Sequence, residues 1–177
     1  MIEVILVDEK DNPIGTEEKL KAHLDGKLHR CFSIFIFNSK GELMLQKRAQ
    51  NKYHSGGLWT NTCCSHPRPN EDIKKEAEDR LKEEMGVECD LQEVFSMPYK
   101  AKVISQKGDL TEYEYDHVFI GTFDGQADIN PEEAEDWKWI DIDVLKQDMK
   151  NNPNKYTPWI LLILDKALKA KNEVYEK

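Results

Sequence analysis

The sequence predicts a mixed fold of the α/β or α+β kind, in which a mixed β-sheet is flanked by helices. Short apolar segments with strand character alternate with turns, and a few segments carry helical spacing between clear start and stop signals. We find no internal repeat, low-complexity tract or interdomain linker. This pattern is typical of helices packed on the faces of one sheet. We therefore expect residues 1–177 to form one domain with a substantial core.

The composition is that of an ordinary to polar soluble chain, with 39% hydrophobic and 33% charged residues. The longest apolar run, Trp159–Leu164, is far shorter than the ~20 residues that cross a membrane. The segment Met1–Val4 has no basic region typical of a signal peptide. These features predict a cytoplasmic protein that does not bind a membrane.

The net charge of −9 disfavours nucleic acid as a partner, because nucleic-acid binding needs a basic surface. An anionic small molecule would have to be held by local basic residues against the overall field. The cysteines lack the paired spacing of a structural zinc site and indicate free thiols in a reducing compartment. They are Cys31, Cys63, Cys64 and Cys89.

The N-terminal region predicts a strand over Ile2–Val7, a turn over Asp11–Gly15 and a short helical start at Thr16–Lys19. Two histidines follow, and each taken alone is most simply a surface-loop residue. They are His23 and His29.

The apolar run Cys31–Phe37 predicts a strand covered on both faces. A turn at Asn38–Gly41 leads to Glu42–Arg48, which we expect to return as its hairpin partner. Basic side chains lie near the end of this predicted strand, and taken alone they indicate a solvated strand end. They are Lys47, Arg48 and Lys52.

The segment Leu58–Pro67 predicts an extended chain that runs into a loop. Alternation along an extended chain places Cys64 and His66 on one face and Cys63 and Ser65 on the other. A thiol beside an imidazole, just before a helix start that lowers thiol pKa and attracts phosphate, is a candidate reactive site. The alternative is a buried strand with two small apolar cysteines.

After Pro67–Pro69, Asn70 is a candidate N-cap for a helix that ends near Met85, with Gly86 just beyond it. Its apolar stripe has helical spacing. The stripe contains Ile73, Ala77, Leu81 and Met85. The charged residues beside it indicate a solvated ion-pair face, in which Arg80 and Glu84 are i, i+4 neighbours. They are Glu76, Arg80, Glu83 and Glu84.

Two further strands are predicted over Cys89–Met97 and Tyr99–Ser105, separated by a break at Pro98–Tyr99, and a turn follows at Gln106–Asp109. The strand Glu112–Gly121 begins with alternation that places Glu112 and Glu114 on one face. Two neighbouring carboxylates are tolerated either in open water or around a cation. This segment alone slightly favours the interpretation that both carboxylates are exposed to water.

The C-terminal region predicts an acidic solvated loop, a short strand, a helix, a loop and a final helix. Their ranges are Glu132–Asp136, Trp137–Asp141, Ile142–Met149, Asn151–Asn154 and the segment after Thr157–Pro158. Thr157 is the expected N-cap and Pro158 the first helical residue. The core stripe of the final helix contains Trp159, Leu162, Ile163 and Ala167.

Three imidazoles and two carboxylates in this chain form a donor set that suits Mg²⁺, Mn²⁺ or Zn²⁺ if they meet in space. They are His23, His29, His66, Glu112 and Glu114.

The chain resembles the type I isopentenyl diphosphate isomerases of the Nudix superfamily over nearly its whole length. The Trp-Thr-Asn…Cys-x-His-Pro run and the spaced Glu-x-Glu are the most specific of the shared motifs. The motifs are Lys19, Ala22–His23, Leu28–His29, Phe37–Gly41, Lys47–Ala49, Gly57–Asn61, Cys64–Pro67, Glu84–Gly86, Glu112–Glu114 and Thr157–Trp159. The resemblance implies a Nudix-like fold with an N-terminal extension.

The Nudix box is degenerate, with Ser65 at the glycine position and Glu71 at the first glutamate. Asp79 and Arg80 stand where the superfamily has Arg-Glu, followed by Leu81, Glu83, Glu84, Gly86 and Val87. Replacement of a metal-holding carboxylate by Arg80 disfavours a hydrolase. It fits an isomerase in which this arginine contacts the substrate diphosphate.

The resemblance implies conversion of isopentenyl to dimethylallyl diphosphate. One proton is added to the terminal methylene carbon and another is lost beside the C–O carbon, with no redox step and hence neither flavin nor NAD. By resemblance, Cys64 and Glu114 act on opposite sides of the hydrocarbon, Tyr99 lies beside Glu114, and Trp159 faces the developing cation.

The resemblance also implies two cation sites and a diphosphate site. His23, His29, His66, Glu112 and Glu114 would hold Mn²⁺ or Zn²⁺ (or Mg²⁺). Glu84 and the backbone oxygen of Cys64 would hold Mg²⁺ on the diphosphate of a prenyl substrate. The diphosphate would contact Lys19, Arg48, Lys52 and Arg80. Residues that match no functional position, and that we expect to be structural, are Cys31, Cys63, Cys89, His54 and His117.

Two alternatives remain, a Nudix pyrophosphohydrolase acting on a nucleoside or prenyl diphosphate and a non-enzymatic metal-binding module. Neither gives a reason for Cys64 and Glu114 together. A monomer or a homodimer is expected.

Overall fold

The computed structural model describes residues 2–105 and 108–175, which form one mixed sheet with helices on both faces. The strands are β1 Glu3–Val7, β2 Pro13–Glu18, β3 His29–Phe37, β4 Leu43–Arg48, β5 Trp59–Thr60, β6 Cys63–Ser65, β7 Gln92–Ser105, β8 Gly108–Thr122 and β9 Ala134–Ile140. The helices are α1 Lys19–Asp25, α2 Ile73–Met85, α3 Ile142–Asn151 and α4 Pro158–Tyr175, with a 3₁₀ turn at Pro153–Lys155. The predicted fold class is confirmed.

Strand β3 is the centre of the sheet. It pairs in parallel with β8 along its whole length, from His29 opposite Glu114 to Phe37 opposite Thr122. On its other edge it pairs antiparallel with β6, with Ser33 opposite Cys64. The three strands therefore present alternate side chains to the same two faces.

The two faces of β3 lie in two separate apolar cores. Phe32, Ile34 and Ile36 pack with α2, whereas Phe35 and Phe37 pack with α3 and α4. The strand is buried on both sides, as its continuous apolar sequence predicts.

Helix α2 buries the predicted stripe, and its ends explain its length. Its N-cap is Asp72, whose carboxylate accepts a hydrogen bond of 2.9 Å from the Lys75 amide, so the prediction of Asn70 was wrong. Gly86 ends the helix at φ 63°, where a Cβ would lie 2.7 Å from the Asp128 carbonyl oxygen.

Three predictions for the N-terminal half were wrong. The predicted turn at Asp11–Gly15 is shorter than expected, because β2 begins at Pro13. Thr16–Glu18 also belongs to β2, and α1 begins at Lys19 because the Glu18 carboxylate caps the amides of the first turn. The predicted hairpin partner of β3 meets it only at Phe37 and Leu43, since β4 pairs chiefly with β9.

The predicted break at Pro98 was also wrong, because β7 is continuous through it. Among the described strands β7 pairs only with β8, and a proline is tolerated on such an edge. The predicted turn at 106–109 lies partly outside the described residues, and Gly108 already begins β8. The predicted acidic loop at Glu132–Asp136 ends earlier than expected, since Ala134–Asp136 begins β9.

Helix α4 confirms the predicted core positions Trp159, Ile163 and Ala167, but Leu162 is 52% exposed and was wrongly assigned. Within the described part of the chain no helix is long and apolar enough to cross a membrane.

Ile163 and Leu162 provide a matched test of the packing on this face. We expect Ile163→Ala to lower the free energy of unfolding by about 2–5 kcal/mol, because Ile163 is fully buried and would leave a cavity. Leu162→Ala should change it by less than about 0.5 kcal/mol. Urea unfolding at equilibrium measures both values, and equal losses would contradict the packing of α4 described above.

Candidate active site

A cavity of about 540 Å³ lies on the α4 side of the sheet and collects nearly every predicted site residue. Those that line it are Lys19, Arg48, Lys52, Cys64, His66, Arg80, Glu84, Tyr99, Glu112, Glu114 and Trp159. The two remaining residues, His23 and His29, are fully buried beside Glu114. Their assignment to a surface loop was therefore wrong.

Strand pairing explains why distant residues meet here. Cys64 and Glu114 lie on the two strands that flank β3, and His29 begins β3 directly opposite Glu114. Alternation directs Cys64 and His66 into the cavity, while Cys63 faces the other way, as predicted, and packs against α2. Ser65 was predicted to share the face of Cys63, but it lines the cavity, so that prediction was wrong.

Four side chains from different elements converge on one point in the floor of the cavity. The Glu114 Oε1 atom lies 2.7 Å from His66 Nε2, 3.4 Å from His29 Nε2 and 3.8 Å from His23 Nε2. The His29 and His66 Nε2 atoms are 3.2 Å apart. Ligand atoms held about 2.1 Å from one ion lie roughly 3 to 3.5 Å apart, so these spacings suit a divalent cation.

The tautomers of two of these histidines are fixed by the backbone. His23 Nδ1 donates to the Lys19 carbonyl oxygen at 2.6 Å, and His29 Nδ1 donates to that of Lys27 at 2.8 Å. A neutral ring that donates from Nδ1 presents a lone pair at Nε2, which is the form that binds a metal.

The two carboxylates of β8 are buried, with Glu112 3% and Glu114 4% exposed, so the solvated interpretation was wrong. Burial, reinforced by the charge of Glu114, raises the pKa of Glu112. Burial also opposes ionisation of Glu114, but hydrogen bonds and charge from His29 and His66 outweigh it and hold the pKa of Glu114 well below its usual range.

Three buried atoms of this cluster have no hydrogen-bond partner among the described residues: His23 Nε2, His66 Nδ1 and Glu112 Oε1. Of these, His23 Nε2 and Glu112 Oε1 are the atoms that could bind a cation, because His66 directs its other nitrogen, Nε2, at Glu114. An unpartnered buried nitrogen and oxygen are costly in a protein interior. A bound divalent cation would satisfy both, so the donor set fits a metal.

Cys64, Tyr99 and Trp159 also line the cavity. Burial raises the pKa of the Cys64 thiol to about 12, so the expectation that the helix start would lower it was wrong. The Tyr99 hydroxyl donates to Glu114 Oε2. Trp159 Nε1 donates to Thr60 Oγ1 at 2.8 Å, and the Arg48 guanidinium lies 5.3 Å from the centre of the Trp159 ring.

The mouth of the cavity contains the basic side chains. Arg80 contacts Glu84 at 2.5 Å and Glu83 at 2.8 Å, and Lys52 pairs with Glu133. The solvated interpretation was therefore wrong for Glu76 and Glu84, which are 5% and 4% exposed, and for Glu133, which is partly enclosed. Lys47 instead pairs with Glu135 at 2.6 Å and does not line this cavity.

Arg48 and Lys19 also line the cavity, and the interpretation of Arg48 as a solvated strand end was wrong. Arg48 is buried and donates to the His54 carbonyl oxygen at 3.3 Å. Burial lowers the pKa of Lys19, while Glu112 and Glu114 oppose that effect.

Some cavity residues were missed from the sequence because each lies in a loop or faces inward without a local signal. They are Cys31, Tyr53, His54, Ser65, Arg68, Glu76 and Glu133. His54 in particular was expected to be structural, but its Nε2 atom lies 3.1 Å from Glu112 Oε1. A sequence signal for this loop is the run of Lys52, Tyr53 and His54.

A family model described as the NUDIX domain matches residues 27–160. This match accounts for the mixed sheet, and the strands and helix before it, β1, β2 and α1, form the predicted N-terminal extension. The fold and the site together define a NUDIX-domain protein.

Sequence relatives define the group more narrowly. An isopentenyl-diphosphate Delta-isomerase 2 of Aromatoleum aromaticum is 51% identical over 96% of this chain and 88% of its own. An isopentenyl-diphosphate Delta-isomerase of Serratia proteamaculans is 52% identical over 91% of this chain and 88% of its own. The chain therefore belongs to the isopentenyl-diphosphate Delta-isomerase family of NUDIX-domain proteins.

Solved structures of more distant proteins share the fold. The crystal structure of DR0079 from Deinococcus radiodurans has a TM-score of 0.71 at 15% identity, covering 96% of this chain and 98% of that one. A MutT protein from Methanosarcina mazei has a TM-score of 0.63 at 15% identity, covering 81% and 95%. At this identity the similarity concerns the fold alone.

Asp116, two residues beyond Glu114 on the same face of β8, gives a pH-dependent prediction. Burial, followed by the charge of Glu114, raises its pKa to about 7. The folded state therefore keeps this proton where the unfolded chain has lost it, and stability falls as pH rises towards 7. Relative to the wild type, we expect Asp116→Asn to gain about 3 kcal/mol between pH 5 and pH 8.

Urea unfolding of metal-free wild type and Asp116→Asn at both pH values measures this difference. The asparagine keeps an oxygen for the Ser33 hydroxyl, which donates to Asp116 Oδ2 at 2.8 Å. Parallel pH profiles for the two proteins would contradict the raised pKa.

Proposed function

We propose that this protein converts isopentenyl diphosphate to dimethylallyl diphosphate. The observation that carries this proposal is one cavity that has a partly buried thiol and a buried carboxylate on the two strands flanking β3, with Lys19, Arg48, Lys52 and Arg80 among the basic side chains that line it. The names of the relatives that are about half identical to this chain support the same reaction.

The diphosphate is held at the basic end of the cavity by Lys19, Arg48, Lys52 and Arg80. Without substrate, Lys52 pairs with Glu133, and Arg80 pairs with Glu83 and Glu84. When substrate binds, these two basic side chains exchange a carboxylate partner for a phosphate partner. This arrangement points the five-carbon chain towards Cys64, Tyr99 and Trp159, which provide the apolar wall and exclude water.

The reaction moves a double bond by adding one proton and removing another. One of Cys64 and Glu114 delivers a proton to the terminal methylene carbon, and the other removes a proton from the carbon beside the C–O carbon. The Tyr99 hydroxyl orients Glu114 through its hydrogen bond. The face of Trp159 stabilises positive charge that develops on the hydrocarbon, as it already does for the Arg48 guanidinium.

Metal ions complete the proposed site. His23, His29, His66, Glu112 and Glu114 would hold Mn²⁺, Zn²⁺ or Mg²⁺, and Glu84 with the Cys64 carbonyl oxygen would hold Mg²⁺ on the diphosphate. A bound divalent ion supplies charge stabilisation in the buried floor and neutralises the phosphate oxygens. Flavin and NAD are not part of this proposal, because no electron transfer is required.

A pyrophosphohydrolase is the alternative activity. The Arg80 guanidinium occupies a position on α2 where that chemistry needs a further carboxylate, and it neutralises Glu84 instead.

We further propose a single domain over residues 1–177 that works as a monomer or homodimer on a small prenyl diphosphate, without nucleic acid or membrane. The four free thiols support a cytoplasmic location.

The decisive test is incubation with isopentenyl diphosphate and Mg²⁺ in deuterated water, followed by NMR. We expect deuterium in a new methyl group of the allylic product and an intact diphosphate. Release of phosphate, or substrate recovered without deuterium, would contradict the isomerase and favour the hydrolase.

Cys64→Ala should lower isomerase turnover by at least about a hundredfold, because it removes one partner of the proton exchange. Cys89→Ala is the matched control, since Cys89 lies outside the cavity, and it should retain turnover. Product formation measured by NMR under saturating substrate reports both. Near-normal turnover of Cys64→Ala would rule out a role for the thiol in proton transfer.

A further inference from the structure

His54 lies in the loop between β4 and β5, and its place in the cavity is well defined. Its imidazole is 7% exposed and lines the cavity. Its backbone forms a bridge with Ser105 and accepts a hydrogen bond from Arg48. The loop thus holds the ring against the floor of the cavity, beside Glu112.

The Glu112 carboxylate lies between two imidazoles. Its Oε1 atom is 3.1 Å from His54 Nε2, and its Oε2 atom is 3.6 Å from His23 Nε2. Both separations match the roughly 3 to 3.5 Å expected between neighbouring ligands of one ion. One ligand atom from each of the three residues lies within 4.8 Å of the other two, and all three residues are buried.

The donor atoms of the floor therefore fall into two overlapping groups. The first contains His23, His29, His66 and Glu114, and the second contains His23, His54 and Glu112. The two groups share His23, whose single free nitrogen can bind only one ion. Ligand atoms of the two groups do not all lie within 4.8 Å of one another, so one ion held by both groups requires the side chains of Glu112 and His54 to move inward when it binds.

Packing explains the position of the His54 ring, but it does not explain the direction in which the Nε2 atom points. The ring packs edge-on against Tyr53, with centroids 4.3 Å apart, and against Trp159 at 5.9 Å. Its Nε2 atom nevertheless faces Glu112 Oε1, which has no hydrogen-bond partner among the described residues. The Nδ1 atom lies 3.2 Å from the Ser55 hydroxyl, which can accept its proton and leave Nε2 free as a ligand.

We propose that His54 is a further ligand of the divalent metal in the floor of this cavity, bound together with His23 and Glu112. This inference rests on the proposed metal centre but not on the isomerase reaction. A fourth imidazole in the donor set favours Zn²⁺, Co²⁺ or a similar transition metal over Mg²⁺, which prefers oxygen ligands.

Binding of Co²⁺ to the metal-free full chain, without substrate, tests the proposal. In wild type we expect hyperfine-shifted, exchangeable imidazole N–H signals from His23, His29, His54 and His66 in the proton NMR spectrum. His54→Phe keeps a ring of similar shape, and His54→Gln keeps a hydrogen-bond donor, but neither supplies the nitrogen ligand. Each variant should lose one such signal and bind Co²⁺ at least about tenfold more weakly in competition with a chelator.

His117→Gln and His117→Phe are the matched controls. His117 pairs with Asp11 and Glu93 and does not line the cavity, so these variants should keep the affinity and the spectrum of wild type. Retained affinity in His54→Gln, with loss only in His54→Phe, would overturn the proposal by making His54 a hydrogen-bond donor. Retained Co²⁺ affinity and an unchanged spectrum in both His54 variants would also overturn the proposal, because His54 would then only line the cavity. Failure of wild type to bind Co²⁺ would instead reject the metal centre itself.

Discussion

Two carboxylates held side by side in the interior are the constraint on which the rest of this site depends. Glu112 and Glu114 project from β8 into a nearly water-free floor, where like charges would repel each other strongly. Imidazoles from α1, β3 and the residue after β6 surround these carboxylates, and the charge of the partly buried Lys19 acts on them as well. His23 Nε2 and Glu112 Oε1 still have no hydrogen-bond partner among the described residues, and a cation could bind both atoms. The same charges would make this floor unstable without those neighbours.

Much of this arrangement could be predicted from the sequence because it depends on local periodicity. Alternation along β8 places Glu112 and Glu114 on one face, and alternation near β6 separates Cys64 from Cys63. The continuous apolar run of β3 and the spaced apolar positions of α2 indicated the two cores. Each of these patterns is decided within a few residues, so neighbours far along the chain do not alter it.

The remaining features depend on contacts that no local pattern encodes. Pro98 continues a strand because β7 lies at an edge, and Leu162 is exposed because α4 turns that side outward. Burial outweighs any effect of the helix start on Cys64, which only a folded cavity can reveal. His54 and Glu133 enter the site from loops, where side-chain direction is set by the elements that meet there.

The parallel pairing of β3 with β8 has a consequence for how the protein acquires its site. These strands lie far apart in the chain and cannot form a hairpin, so their pairing requires closure of a long loop and is intrinsically slow. His29 and Glu114 meet only when that closure is complete. The candidate cation site therefore forms at the same step as the native topology, and an ion that bound there would stabilise the folded state over every partly folded one.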